Sequence, residues 1–174
     1  MKIIKNALTE EAAESIRKEF VGAHWKRYGT SERDLFKGKD DWYPGEDEVY
    51  SSAYTRAREV EKSAFFREVS QALSTHLPFD WHNAAVHAYR MTAGDHFRVH
   101  DDSKNGIGFV YYLSKGWKWD WGGLLMVRRN DSVVPLKPEF NQMVVIDYAV
   151  PHFVSPVAQY ALEPRYAIVG FVNV

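Results

Sequence analysis

The chain has 174 residues, enough for one domain of ordinary size. Hydrophobic residues make up 45% and charged residues 26%, with a formal net charge of -1, which excludes a disordered chain, a polybasic membrane binder and a general nucleic-acid binder. There is no cysteine, so a disulfide scaffold, a zinc ribbon, an iron–sulfur protein and a cysteine nucleophile are excluded, and any metal must rest on nitrogen and oxygen ligands.

No run reaches the ~18 apolar residues of a membrane span. The first ten residues lack a secretory apolar stretch. The expectation is therefore a soluble, cytoplasmic protein with no membrane or nucleic-acid partner. Thr9 is placed to cap a helix over residues 10–20, with Glu10 and Glu11 in its first turn and Arg17 and Lys18 toward its end. Ala12, Ala13, Ile16 and Phe20 recur at helical spacing and form its buried face. Dense charge with Gly and Pro marks 29–44 as a loop. A second helix is expected over about 55–75, with Phe65, Val69 and Leu73 in one stripe and Pro78 beyond its end.

After Trp81 the period changes to alternation. Strands are predicted at 83–91, 96–100, 107–113, 124–129, 133–136, 142–146, 153–157 and 165–173. About eight short strands without long helices between them indicate an antiparallel sandwich or jelly roll. The expected layout is α+β in a single domain over 1–174, a helical N-terminal part over about 1–80 followed by a mainly β core over about 81–174.

Chemistry concentrates in Gly94-Asp95-His96-Phe97-Arg98-Val99-His100-Asp101-Asp102. Strand residues i and i+2 share a face, so His100 and Asp102 present an imidazole and a carboxylate to one point, while Asp101 faces away. His152, in Val150-Pro151-His152-Phe153-Val154-Ser155-Pro156, offers a second imidazole. Two histidines and a carboxylate are the ligand set of non-haem Fe(II) oxygenases, with the remaining positions open. An H-x-D triplet by itself is a common chance pattern, and the ordered residues that follow give it weight. By alternation Arg165 faces the same side as Ala167, Val169 and Phe171. A cation inside an apolar barrel needs an anion, and a guanidinium forks onto a carboxylate. A dicarboxylate co-substrate, with one end on the metal and the other on Arg165, meets that need. The bland reading is an arginine at a strand end reaching solvent. Arg98 alternates with His100 and Asp102 and is a candidate contact for a substrate carboxylate, or else a surface ion pair.

The stretch from about His87 to the C-terminus resembles the Fe(II)- and 2-oxoglutarate-dependent dioxygenases, specifically the prolyl 4-hydroxylase-like branch. The resemblance rests on Tyr89, Gly94 and Phe97 leading into His100-Asp101-Asp102, on Tyr111-Tyr112-Leu113-Ser114, on Trp119-Asp120-Trp121-Gly122-Gly123-Leu124, on Pro135, and on His152, Val154, Pro156, Val157 and Arg165. It implies a double-stranded β-helix with His100, Asp102 and His152 as iron ligands and catalytic centre. It also implies Arg165 as the 2-oxoglutarate anchor, with Tyr112 and Tyr89 bonding the same carboxylate. The cofactor set is Fe(II), 2-oxoglutarate and O2. Halogenating relatives lack the carboxylate that Asp102 supplies, so the resemblance implies hydroxylation over halogenation, with desaturation or ring formation left open. The substrate would be a small molecule or a peptidyl residue. The length of the chain leans toward an amino acid or an amino-acid-derived metabolite, with 29–54, Trp121 and its loop, and Arg98 as specificity elements.

Other readings of the same residues carry less. His96-x-x-x-His100 lacks the glutamate of a zinc protease helix, since Phe97 stands in its place, and His82 and His87 fit no ligand frame. Gly106-x-Gly108 reads as a turn entering a strand. Trp117, Trp119 and Trp121 with Lys115 and Lys118 close over the site, pack under the Gly122-Gly123 turn, form a dimer contact or stack on single-stranded nucleic acid. Two further functions compete. A cupin-like metal dioxygenase or isomerase without 2-oxoglutarate leaves Arg165 and Tyr112 without a small-molecule partner. A non-catalytic jelly-roll binding module needs no metal.

Overall fold

The computed structural model describes residues 1–23, 25–28, 54–56, 72–77, 85–102, 106–147 and 149–173. Its elements in order are β1 (Lys2–Lys5), α1 (Glu10–Gly22), β2 (Lys26–Tyr28), β3 (Tyr54–Arg56), β4 (Ala85–Met91), β5 (Phe97–His100), β6 (Gly106–Tyr112), β7 (Leu125–Arg129), β8 (Ser132–Leu136), β9 (Gln142–Asp147), β10 (His152–Val154) and β11 (Arg165–Asn173). They form two antiparallel sheets, a large one in the order β1-β9-β6-β11-β4-β3-β2 and a small one in the order β5-β10-β7-β8. The architecture is mainly β and consistent with a jelly-roll core.

Strand alternation in the large sheet feeds two layers. Phe109, Tyr111 and Leu113, with Met143, Val145, Tyr166 and Ile168, pack beneath Ile16 and Phe20 of α1. The intervening residues Tyr112, Val144, Ile146 and Ala167 turn the other way, onto Leu125, Val127 and Val154 of the small sheet. The result is helix, large sheet, small sheet, with the cavity between the two sheets. Thr9 caps α1 and accepts a hydrogen bond from the Ala12 amide, as expected. The helix runs on to Gly22, so Arg17 and Lys18 fall short of its last turn, which holds no base. Ala12 is half-buried, and Ala13, Ile16 and Phe20 form the fully buried face.

The eight strands expected after Trp81 each overlap one of β4 to β11. The N-terminal part differs from the expected helical layout. Lys2–Lys5 is a strand at the large sheet's edge, paired with β9, and Lys26–Tyr28 and Tyr54–Arg56 extend its other edge beyond β4. Thr55, the expected start of a second helix, therefore lies in β3. The short strands carry too few alternating positions to write a period, and pairing with a neighbour, not local propensity, decides them. Residues 72–74 are helical with Leu73 fully buried, as the expected stripe requires. Phe65, Val69, Pro78, His82 and the loop at 29–53 lie outside the described residues. Among the described residues no helix is long and apolar enough to cross a membrane.

Candidate active site

The small sheet builds the first half of the site. β10 pairs with β5 so that His152 stands opposite His100, but the next matched pair is Val154 with Phe97, and the register slips between them. This bulge puts Phe97 and His100, three residues apart, on the cavity wall together. The two imidazoles meet with ring centroids 4.4 Å apart. Asp102, just beyond the end of β5, brings its Oδ2 to 3.9 Å from His152 Nε2. One ligand atom from each of His100, Asp102 and His152 lies within 4.8 Å of the others, a group able to hold a metal ion. Asp101 is not part of it.

The ring nitrogens are already sorted for that task. Nδ1 of His100 faces the Arg98 carbonyl at 2.6 Å, and Nδ1 of His152 faces the Val150 carbonyl at 2.8 Å. With Nδ1 donating to the backbone, each Nε2 keeps its lone pair for an ion. Two imidazole nitrogens and one carboxylate oxygen suit a divalent iron and leave positions open to other ligands.

The large sheet builds the second half. Arg165 opens β11 directly opposite Met91 of β4, and it lines the same cavity as the three donors. It is 2% exposed. Its guanidinium lies over the Tyr112 ring, 5.1 Å from the centroid, and Nη1 donates to the Met91 thioether at 3.3 Å. Arg165 Nε and the Tyr112 hydroxyl are both buried without a hydrogen-bond partner. Burial pushes the Tyr112 phenol above its ordinary range, with the nearby Arg165 charge pulling the other way, and it draws the guanidinium below its own. Buried groups left unpaired are costly, and of the two Arg165 lines the cavity. Tyr89 is buried on the cavity wall, edge-on to Phe97 with centroids 5.5 Å apart. Apolar side chains, among them Leu125, Ile146, Val154 and Phe171, complete the lining.

Two sequence candidates stand elsewhere. The bulge turns Arg98 away from the cavity into a second groove that it lines with His96, Val99, Phe153 and Pro156. Trp121 is 6% exposed and packs edge-on against Trp117 in the core, with centroids 5.3 Å apart. Trp117 donates from Nε1 to the Gly122 carbonyl at 2.8 Å, so these two rings pack under the turn, while Trp119 is exposed. The turn itself requires glycine: Gly122 has φ 64°, and a Cβ there would run into the Pro156 carbonyl oxygen. His87 stacks near Tyr89 and Phe171 and takes no part in the metal group. Gly106 and Gly108 belong to β6 itself. Met91, which does not line the cavity, is the hydrogen-bond partner of Arg165. Its signal lay in the strand pairing with Arg165, which the sequence does not display.

A family model for the 2OG-Fe(II) oxygenase superfamily matches residues 84–173. Comparison with curated proteins finds no match. Among solved structures, a Pseudomonas putida prolyl-4-hydroxylase is 17% identical with a TM-score of 0.66, covering 99% of this chain and 91% of its own. A Trichoplax adhaerens prolyl hydroxylase in complex with a hypoxia inducible factor peptide fragment is 16% identical with a TM-score of 0.73, covering 99% and 82%. HygX from Streptomyces hygroscopicus, with nickel and 2-oxoglutarate bound, is 11% identical with a TM-score of 0.63, also covering 99% and 82%. At these identities the likeness is one of fold. The family match spans β4 to β11 and so includes the three metal donors and Arg165, and the chain belongs to the 2OG-Fe(II) oxygenase superfamily, whose enzymes work with Fe(II), 2-oxoglutarate and O2.

Proposed function

We propose that this oxygenase is a hydroxylase acting on an unactivated C–H bond of an amino acid, an amino-acid-derived metabolite or a peptidyl residue, with succinate and carbon dioxide as co-products. The observation that carries the reading is one cavity holding both a three-donor metal group and a buried guanidinium with an unpaired Nε. A dicarboxylate with a 2-oxo acid at one end answers both. Bound iron supplies the activation of oxygen and the oxidation of the C–H bond.

The chain's own residues do the rest. His100, Asp102 and His152 would hold the ion and leave its remaining positions to other ligands. Arg165 and the Tyr112 hydroxyl receive the distal carboxylate and set the direction of the chelating end, and Tyr89 offers a further hydroxyl on the same wall. Phe97, Leu125, Ile146, Val154 and Phe171 keep water from the reacting carbon and strengthen every charge interaction inside. The peptide in the Trichoplax adhaerens complex supports including a peptidyl residue among the substrates. The cysteine-free composition accords with a cytoplasmic setting. A metal dioxygenase without 2-oxoglutarate leaves the buried Arg165 charge without a use.

The test is anaerobic addition of Fe(II) and then 2-oxoglutarate. The weak visible band of a 2-oxo acid chelated to Fe(II) is expected in the natural protein and absent from His152→Ala. Metal binding without the band removes the co-substrate from the reading. No metal binding removes the whole of it.

A further inference from the structure

We propose that Met91 is a positioning residue for the co-substrate, its thioether holding one edge of the Arg165 guanidinium so that the opposite edge faces the incoming carboxylate. The inference rests on the co-substrate reading above. β4 and β11 place Met91 and Arg165 directly opposite one another, and both side chains are buried, at 0% and 2% exposure. Arg165 Nη1 donates to the Met91 sulfur at 3.3 Å.

The geometry of the guanidinium gives this contact its meaning. Nη1 lies on the Cδ side of the planar group. Nε–H and Nη2 share the other edge, a fork that matches the two oxygens of a carboxylate. That edge holds the unpaired Nε. The Tyr112 ring under the group and Gly123 against the stem fix its plane. A Cβ on Gly123 would stand 3.0 Å from Arg165 Cδ. Neither contact chooses which edge meets the cavity, and the hydrogen bond to sulfur does. A thioether is suited to this because it is a weak acceptor. It directs the cation without neutralising it, whereas a carboxylate at position 91 would consume the fork.

Titration calorimetry of the Mn(II)-loaded protein with 2-oxoglutarate, under anaerobic conditions, tests this in the natural protein, Met91→Leu and Met91→Gln. Leucine conserves volume and lacks the acceptor. Glutamine returns an acceptor. Met91→Leu is expected to bind 2-oxoglutarate about fivefold to tenfold more weakly, the effect of one directed hydrogen bond to a charged donor. Its Mn(II) affinity stays unchanged, and Met91→Gln recovers most of the loss. Equal 2-oxoglutarate binding in Met91→Leu and the natural protein overturns the positioning role and leaves the co-substrate reading intact. So does a Met91→Leu that loses Mn(II) and 2-oxoglutarate affinity in the same proportion, or a folded Met91→Gln as weak as Met91→Leu. A natural protein that binds Mn(II) but not 2-oxoglutarate overturns both readings.

Discussion

Arg165→Met separates what the buried charge costs from what it does. The side chain is 2% exposed, rests on a tyrosine face and a thioether, and leaves Nε unpaired. A cation held this way costs folding free energy, and a well-packed apolar residue of similar length in its place is expected to stabilise the protein by about 1–4 kcal/mol. At about 2–4 °C per kcal/mol for a chain of this size, the thermal midpoint of the co-substrate-free protein rises by several degrees. Adding 2-oxoglutarate reverses the comparison. At a hundredfold excess over its Kd, the ligand stabilises the natural protein by about 2.7 kcal/mol, and the variant without its carboxylate partner gains little. Scanning calorimetry of both Mn(II)-loaded proteins, with and without 2-oxoglutarate, reads all four midpoints. Arg165→Met melting several degrees below the natural protein without ligand would show that the arginine is a structural support, not a costly binding group. A ligand-induced rise surviving in full in the variant would show that the carboxylate binds elsewhere.

Asn141→Ala is expected to be among the most damaging substitutions outside the cavity lining. Its side chain accepts from the Leu8 amide at 2.9 Å and the Tyr111 hydroxyl at 3.0 Å, donates to the Leu8 carbonyl at 2.8 Å, and sits at φ 59°, so a loss of roughly 3–6 kcal/mol should appear as a lower urea midpoint, with Asn141→Gly recovering only the backbone part of about 1 kcal/mol. The protein should also lose stability in alkali. Burial raises the phenols of Tyr111, Tyr112 and Tyr166, so above about pH 10 the unfolded chain gives up protons that the folded one keeps, and stability falls with rising pH, by at most about 1.4 kcal/mol per pH unit for a deeply buried phenol and by less for Tyr166. Tyr112→Phe should make that fall shallower by one proton, measured as urea midpoints between pH 9 and 11.5, and an unchanged slope would contradict the burial argument.

What could be read from the sequence follows the length of the signal. β11 alternates between Tyr166 and Ile168 on the helix side and Arg165, Ala167 and Val169 on the cavity side, so a nine-residue strand announces both of its layers. His100, Asp102 and His152 are legible for a different reason, the order and spacing of their motif, since β5 and β10 are short and Asp102 lies beyond a strand end. The side chains misplaced by alternation all involve pairing. Simple alternation puts Arg98 on the face of His100, and one slip of register between β5 and β10 turns it to the other groove. Lys2–Lys5 showed too few positions to reveal a strand until β9 supplied its partner. Met91 looked like any core methionine because its meaning depends on which residue stands across the ladder.

That dependence on pairing also says how the site works as a whole. The metal donors belong to the small sheet and its end, on β5, on β10 and just after β5. Arg165, Tyr112 and Met91, proposed to bind and orient the distal carboxylate, belong to the large sheet, on β11, β6 and β4. Neither sheet holds a complete site. The residues that set the distance between the halves are the apolar ones packed between the sheets, Leu125 and Val154 from one and Val144, Ile146 and Ala167 from the other. A dicarboxylate bound at both ends spans the same gap as this core. The cores of proteins are packed to crystal-like density, so a cavity-forming substitution among these residues is expected to shift one half of the site against the other.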